Sequence, residues 1–237
     1  MEQDTKIKIL VVEDDISLKD SLVRLLQNRD FLVQAVENKQ QAVEQIKSGQ
    51  QYDIYLLDVW LPDGNGFDIC HEIRKISQAI VMFLTSCDDE ESITKGLDIG
   101  GDDYITKPFN PLELVARVKS HMRRYTQLGN LSQQSTDTIY RCGGLQINDD
   151  TKEVYVDDEQ IKLTPIEYNI LLLLVKNAGK VFSIDEIYEQ IWNEEAIGAD
   201  NTVAVHIRHI REKIEINPRE PRYLKVVWGV GYKIEKQ

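Results

Sequence analysis

A short apolar run in the first half of the sequence, residues 54–57, ends directly on the carboxylate of Asp58. A continuous apolar run of this length is typical of a strand buried on both faces, as in parallel sheets covered by helices. Ligands of such sheets sit at the carboxyl ends of the strands. Asp58 is therefore a candidate for chemistry at that edge, although an aspartate that ends a strand can also simply cap a turn.

Apolar residues on both sides of this run alternate between the spacing of strands and the spacing of helices. Five strands are predicted, at residues 7–12, 31–36, 52–59, 79–84 and 104–106. Five helices follow them, with apolar positions at 18–26, 42–46 and 67–73 and two further helices at about 90–99 and 111–124. This alternation predicts an α/β fold, a flavodoxin-like doubly wound (βα)5 domain with a parallel sheet.

Polar side chains follow four of the five predicted strands at the point where each strand ends. They are Glu13 and Asp14 after the first strand, Asp58 on the third, Thr85 on the fourth and Lys107 after the fifth. In a parallel sheet all of them reach one edge, where several carboxylates repel one another unless a cation lies between them. A hard divalent ion, Mg²⁺ above all, takes such oxygen ligands together with a phosphate, so the pattern predicts Mg²⁺ and an incoming phosphoryl group.

The charge of the chain is uneven along its length. The formal net charge is −12, which by itself argues against a nucleic-acid partner, yet residues 201–237 carry 8 Lys and Arg against 4 Asp and Glu. A local basic stripe matters more for phosphate binding than the global balance does. No apolar run is long enough to span a bilayer, no signal peptide is recognisable, and the three cysteines form no Cys-x-x-Cys pair. We therefore expect a cytoplasmic protein with reduced thiols and no membrane partner.

The second half of the sequence has a different pattern. The polar residues 125–138 predict a linker, and short alternating runs between 139 and 163 predict a small antiparallel sheet. Thr164-Pro165 and Ser183 are start signals for two helices, and a third helix is predicted at about 201–214. Residues 223–234 read as a hairpin with glycines at its turn. Three helices followed by such a hairpin predict an α+β winged helix-turn-helix domain.

The third helix of this half has one apolar face, formed by Val203, Ile207, Ile210 and Ile214. The opposite face is predicted to expose Asn201, Val205, Arg208, His209 and Glu212, with His206 and Arg211 beside it. A helix-turn-helix protein presents such a helix to the major groove of DNA. A merely solvated amphipathic helix is the alternative, and a zinc site at His206 and His209 lacks a third ligand nearby.

The first half resembles the receiver domain of two-component response regulators, on the strength of Glu13-Asp14, Asp58, Thr85, Tyr104 and Lys107-Pro108-Phe109. The resemblance implies that Asp58 accepts a phosphoryl group from a sensor histidine kinase. It implies Mg²⁺ bound by Asp14, Asp58 and the backbone carbonyl of Trp60, with Glu13 acting through water. Thr85 and Lys107 would bind the phosphoryl group, and Tyr104 would be the aromatic switch. It also implies a homodimer formed on phosphorylation through Asp102, Asp103, Glu113, Arg117 and Lys119.

The second half resembles the winged-helix effector domain of the OmpR/PhoB type of regulator, through residues 201–211 and 228–232, and its tail is similar to that of the vancomycin-resistance regulators. By that resemblance Val205, Arg208 and His209 face bases or adjacent phosphates. The DNA backbone would be contacted by Trp192, Thr202, His206 and Arg211, with Asn201 and the wing residue Trp228 also at the DNA. The loop 193–200 would touch RNA polymerase. His209 and Trp228 stand where arginine is common in the family.

Together these patterns predict a transcription factor, and no enzyme, switched by Mg²⁺-dependent phosphorylation of Asp58 and binding tandem promoter half-sites as a dimer. The predicted domains are a receiver at 1–124, a linker at 125–138 and a winged-helix domain at 139–237. A phosphatase with an aspartyl intermediate is one alternative, but Trp60 occupies the position of its usual second aspartate. The other is a receiver-bearing adaptor, or a regulator that works without phosphorylation.

Overall fold

A computed structural model describes residues 6–29, 31–86, 95–127, 139–192 and 199–236, without the side chains of 123–127 and 199–200. The chain divides into two compact units, Met1–Val118 and Lys119–Gln237. The predicted linker and the loop proposed to meet RNA polymerase lie largely outside the described residues. The predicted domain boundaries therefore remain a prediction.

The first unit is built on a five-stranded parallel sheet, as predicted. Its strands are β1 (Lys8–Val12), β2 (Leu32–Val36), β3 (Ile54–Asp58), β6 (Ile80–Thr85) and β7 (Asp103–Thr106). They lie in the order β2-β1-β3-β6-β7, which is the doubly wound, flavodoxin-like order. The helices are α1 (Ile16–Gln27), α2 (Lys39–Lys47) and α3 (Gly66–Arg74), and α4 (Pro111–Gln127) begins in this unit and extends past its last residue, Val118. The predicted fold class is confirmed.

The central strands are buried on both faces because helices cover the sheet on each side. All five residues of β3 and all six of β6 are buried, as the continuous apolar runs predicted. Cys70 is one of the buried residues of this unit. The helix predicted at 90–99 lies partly outside the described residues, and residues 95–98 of it are helical.

A short antiparallel ribbon after β3 was not predicted. It pairs β4 (Trp60–Leu61) with β5 (Gly64–Asn65), and Asn65 then caps the first turn of α3. Gly66 follows, and a Cβ atom built on it would lie 2.3 Å from the backbone oxygen of Asp58. The chain therefore turns back so tightly that only glycine fits beside the residue that ends β3.

The second unit contains a four-stranded antiparallel sheet, three helices and a hairpin. The sheet has the order β11-β10-β9-β8, with β8 (Ile139–Cys142), β9 (Leu145–Asn148), β10 (Glu153–Val156) and β11 (Glu159–Ile161). The helices are α5 (Pro165–Lys176), α6 (Ile184–Trp192) and α7 (Ala199–Ile214), and the hairpin pairs β12 (Leu224–Val227) with β13 (Gly231–Ile234). This arrangement confirms the predicted winged helix.

Local signals in the sequence fix where two of these helices begin. Thr164 and Glu167 form a reciprocal capping box at the start of α5, with proline in its first turn. Ser183 and Glu186 bond reciprocally in the same way before α6. Paired backbone hydrogen bonds of 2.9 Å join Phe182 to Tyr232, so the hairpin is anchored at the start of α6.

Candidate functional site

Three carboxylates meet at the carboxyl edge of the parallel sheet, as predicted. Glu13 and Asp14 follow β1, and Asp58 ends β3. Their ligand oxygens lie within 4.8 Å of one another, with Glu13 and Asp58 buried and Asp14 exposed. Among the described residues, no other group of three or more ligating side chains has a spacing that suits a metal ion. His206 and His209 therefore belong to no such group. A set of oxygen donors alone suits a hard cation such as Mg²⁺.

The ammonium of Lys107 lies between two of these carboxylates. Lys107 Nζ donates to Glu13 Oε2 and to Asp58 Oδ2, each at 2.7 Å. The backbone N–H of Lys107 donates to the carbonyl of Thr85 at 2.6 Å, which places the residue at the same edge, and the peptide bond to Pro108 is cis. The other oxygen of Asp58 accepts the backbone N–H of Trp60 at 3.0 Å. Asp58 is thus held from both sides.

Burial and charge act on these groups in opposite directions. The pKa of Glu13 is raised to about 7, mainly by burial; the hydrogen bond from Lys107 lowers this pKa, and the negative charge of Asp58 raises it. Burial alone would lower the pKa of Lys107, but its hydrogen bonds to Asp58 and Glu13 outweigh burial and raise it. The ammonium is therefore firmly protonated, and it balances part of the negative charge at this edge.

Thr85 and Tyr104 also lie where the strand order predicted. Asp58 pairs with Leu84 in the register of β3 and β6, so the buried Thr85 follows directly at the same edge. Tyr104 lies on the neighbouring strand β7 and is half-buried. The side chain of Trp60 is 58% exposed beside the site.

The residues predicted to form a dimer face do not all lie on the surface. Asp102 has an exposure of 0%, and its carboxylate bonds to the guanidinium of Arg74 at 2.7 Å. The carboxylate of Asp102 is therefore buried in an ion pair within the unit, and its place in a dimer face remains a prediction. Asp103 is also buried and pairs with Arg117, which in turn pairs with the exposed Glu113. Lys119 is exposed.

The exposed face of α7 is narrower than the helical spacing predicted. Asn201 and Arg208 are exposed, whereas Val205 is buried, with 6% exposure. The predicted surface position of Val205 is therefore wrong. His209 is mostly buried, which lowers its pKa, although the carboxylate of Glu167 at 3.9 Å acts in the opposite direction.

Three residues predicted to contact the DNA backbone are buried as well. They are Trp192, Thr202 and His206, with exposures of 2%, 1% and 1%. The reason is that α6 packs along the side of α7, with the ring of Trp192 5.7 Å from that of His206. Their contact with the DNA backbone remains a prediction. Trp192 Nε1 and Thr202 Oγ1 nevertheless have no hydrogen-bond partner among the described residues.

Several contacts that shape both units were missed in the sequence. Arg74 forms an ion pair with Asp102. The ammonium of Lys213 donates to both carboxylate oxygens of Glu167, at 2.7 and 2.6 Å. Glu215 accepts backbone hydrogen bonds from the segment before the hairpin. Only Glu167 carried a signal in the sequence, through its place in the capping box, and that signal did not reveal its partner on α7.

Comparisons with known proteins agree with this architecture. Residues 9–119 match the response regulator receiver domain family, and residues 158–234 match the family described as transcriptional regulatory protein, C terminal. Regulatory protein VanR from Enterococcus faecium is 42% identical over 97% of this chain and 99% of its own length. VanRc from Enterococcus gallinarum is 40% identical over the same shares of the two chains.

Solved structures give the same result. Over 97% of this chain and 99% of its own, DrrB, an OmpR/PhoB homologue from Thermotoga maritima, has a TM-score of 0.52 at 34% identity. A RitR mutant has a TM-score of 0.73 at 27% identity over 98% of this chain and all of its own.

The fold and the site define a receiver domain joined to a winged-helix transcriptional domain. The chain belongs to the two-component transcriptional response regulators of the OmpR/PhoB type, a family that receives phosphate from histidine kinases and binds DNA. The predicted similarity to the VanR-like regulators is confirmed. In the part of the chain that the structure describes, no helix has both the length and the apolar character needed to cross a membrane.

Proposed function

We propose that Asp58 accepts a phosphoryl group from a sensor histidine kinase and that its phosphorylation controls binding of the second unit to promoter DNA. The observation that carries the proposal is the ammonium of Lys107, 2.7 Å from Asp58 Oδ2 at an edge that also holds Glu13 and Asp14. Phosphoryl transfer depends on positioning and on neutralising charge. An oxygen of Asp58 would attack phosphorus while the bond from phosphorus to the donor's histidine nitrogen breaks.

Mg²⁺ fits the carboxylate cluster. Asp14 and Asp58 would ligate it with the backbone carbonyl of Trp60, and Glu13 would act through water. Bound there, the ion would neutralise charge on the transferring group. Asp14 is the exposed member of the cluster, which leaves the cluster open to a ligand from solvent.

The switch would begin with Lys107. A phosphoryl group adds about two negative charges at Asp58, and these compete with Glu13 for the ammonium. Lys107 and Thr85 would then bind the phosphoryl oxygens, and Tyr104 would follow Thr85. The accompanying change at β7 and α4 would favour a homodimer through Asp103, Arg117, Glu113 and Lys119, whose first three members already form an ion-pair chain.

The DNA interface would be centred on α7 and the wing. Asn201 and Arg208 are exposed on the helix, and Trp228 at the tip of the hairpin is 88% exposed. Trp192 Nε1 and Thr202 Oγ1 have no hydrogen-bond partner among the described residues. They would donate hydrogen bonds to phosphate oxygens once the atoms that bury them move aside. The loop 193–200 would contact RNA polymerase. The protein would act in the cytoplasm.

The test compares the wild-type chain with Asp58→Ala and with Asp20→Ala, an exposed aspartate on α1 that serves as the matched control. Each protein is treated with acetyl phosphate and Mg²⁺, and phosphorylation is read by mobility on a phosphate-retarding gel. Binding is measured by fluorescence anisotropy on duplexes selected from a random library with the treated wild-type protein.

Wild type and Asp20→Ala should gain phosphate and bind the duplex more tightly after treatment, and Asp58→Ala should do neither. Equal phosphorylation of Asp58→Ala would reject Asp58 as the acceptor. Phosphorylation without any selectable duplex would instead favour a receiver-bearing adaptor. Continuous release of inorganic phosphate at many turnovers per minute would favour the phosphatase alternative.

A further inference from the structure

The wing is the hairpin formed by β12 and β13. Side chains at the end of α7 bind the backbone of β12, its first strand. Glu215, the residue after α7, and Arg211, one turn earlier, bind the two sides of the same residue, Leu224. We propose that Arg211 and Glu215 are positioning residues that fix the wing relative to the DNA-reading helix, and that Arg211 does not itself contact a DNA phosphate. This inference rests on the proposed DNA-binding function.

Glu215 uses both carboxylate oxygens on the segment that leads into β12. One oxygen accepts the backbone N–H of Arg222 at 2.5 Å, and the other accepts those of Tyr223 and Leu224, each at 2.8 Å. The side chain of Glu215 retains 8% exposure. Hydrogen bonds to a charged acceptor are stronger than those between neutral groups. The carboxylate of Glu215 therefore fixes the backbone of residues 222–224 through three consecutive N–H groups.

Arg211 holds the hairpin from the other side. Its Nε donates to the carbonyl of Leu224 at 3.0 Å, and its guanidinium carbon lies 6.0 Å from the centre of the Tyr232 ring on β13. Both strands of the wing are therefore in contact with one side chain of α7. Nη2 of Arg211 is buried from solvent and has no hydrogen-bond partner among the described residues. Of the guanidinium nitrogens, Nε is thus engaged by the backbone of Leu224 and Nη2 is shielded from solvent.

This arrangement matters because a helix in the major groove and a wing beside it must meet the duplex at a fixed separation. Phosphate contacts fix the register and orientation of a protein on the duplex, so the relative position of the elements that carry them affects binding. The wing tip projects from its hairpin with Trp228 and Val230 88% and 55% exposed. The turn at the tip is closed by the backbone hydrogen bond from Val230 N–H to the carbonyl of Val227, whereas the base of the hairpin is bonded to Arg211 of α7.

A phosphate contact by Arg211 and a positioning role of Arg211 predict different dependences of DNA affinity on salt concentration. An arginine that neutralises one phosphate contributes about 0.9 to the slope of log K against log salt concentration, and a positioning arginine contributes none. Arg208 on the same helix is exposed and is the matched control. Wild type, Arg208→Gln, Arg211→Gln and Arg211→Lys are compared as full-length proteins treated with acetyl phosphate. Binding to the selected duplex is measured from 50 to 300 mM KCl.

Arg208→Gln should reduce the magnitude of the slope by about 0.9. Arg211→Gln and Arg211→Lys should each weaken binding about five-fold, the typical effect of one lost hydrogen bond, without changing the slope. The lysine variant is decisive because it keeps the charge but loses the Nε donor. Wild-type affinity in Arg211→Lys together with a lower slope in Arg211→Gln would overturn the proposal.

A thermodynamic cycle with Trp228→Ala tests whether the wing is the route of the effect. If Arg211 acts by placing the wing, adding Trp228→Ala to Arg211→Lys should cost less than Trp228→Ala costs alone. Strictly additive effects, or a neutral Trp228→Ala, would overturn the proposal. Because every comparison begins from a wild-type protein that binds the duplex, failure of the DNA-binding function itself would appear earlier, as absence of wild-type binding.

Glu215→Gln is examined by amide hydrogen exchange. The N–H groups of Arg222, Tyr223 and Leu224 should exchange at least ten-fold faster in this variant, with α5 and α6 unchanged. Arg208→Gln should leave all three protected. Unchanged protection in Glu215→Gln would remove the carboxylate from the proposal, and faster exchange throughout the unit would show a loss of fold instead of a released wing.

Discussion

Replacing Lys107 with methionine removes the ammonium that bonds to both Glu13 and Asp58. Methionine keeps most of the length and apolar volume of the side chain, so the change isolates the charge. Both carboxylates are almost fully buried, and the lysine side chain is 18% exposed. Removing one partner of a buried ion pair leaves an uncompensated charge, which costs about 3–5 kcal/mol.

The cost at this site should fall below that range. The ammonium is partly exposed, so solvent already screens some of its attraction. Glu13 can also take up a proton, since its pKa is raised to about 7 by burial even with the ammonium present. Without Lys107 that pKa should rise further. We therefore expect Lys107→Met to lower the free energy of unfolding by about 2–3 kcal/mol at pH 7.5.

The pH dependence follows from the direction of that shift. A carboxyl group whose folded pKa lies above its unfolded value binds more protons when folded, so stability falls as pH rises through the interval between the two values. In wild type this interval for Glu13 runs from 4.5 to about 7, and in Lys107→Met it extends higher. The cost of the substitution should therefore be greater at pH 8 than at pH 6.

Urea denaturation in EDTA, followed by circular dichroism, measures these free energies. Lys75→Met is the control, since it breaks an exposed pair with Glu72 and should cost about 0.5 kcal/mol or less. Adding Mg²⁺ should stabilise Lys107→Met more than wild type, because the ammonium no longer competes for the same oxygens. Equal losses in the two lysine variants, or a cost that shrinks as pH rises, would refute the reasoning.

Two other substitutions test how the surroundings of the site are built. Gly66→Ala should destabilise the chain by about 1–3 kcal/mol and reduce phosphorylation by acetyl phosphate, because the new Cβ would lie 2.3 Å from the Asp58 carbonyl; full stability would show that the backbone relaxes there. Arg74→Met should cost about 3–5 kcal/mol by removing the guanidinium from the buried Asp102 carboxylate, and adding Asp102→Leu should recover part of that loss. No recovery in the double variant would mean that the cost is not electrostatic.

The sequence determined most of the first unit and the contents of its site. The period of the apolar residues distinguishes strand from helix, and alternation of the two leaves few topologies other than a parallel sheet. Once the sheet is parallel, residues that follow its strands must share one edge. Glu13, Asp58 and Lys107 could therefore be grouped without coordinates, although 94 residues separate the first from the last.

Only the tertiary structure shows which side chains are buried and which partners the polar ones bind. Helical spacing places Val205 opposite the apolar stripe of α7, yet the residue is buried, because burial depends on every element that packs around a helix. Asp102 reads as a surface acid until Arg74 is found beside it. Likewise nothing in the sequence indicates that the carbonyl of Leu224 accepts an N–H of Arg211. A sequence pattern reports the face that a residue occupies, whereas its partner is chosen by how the elements pack.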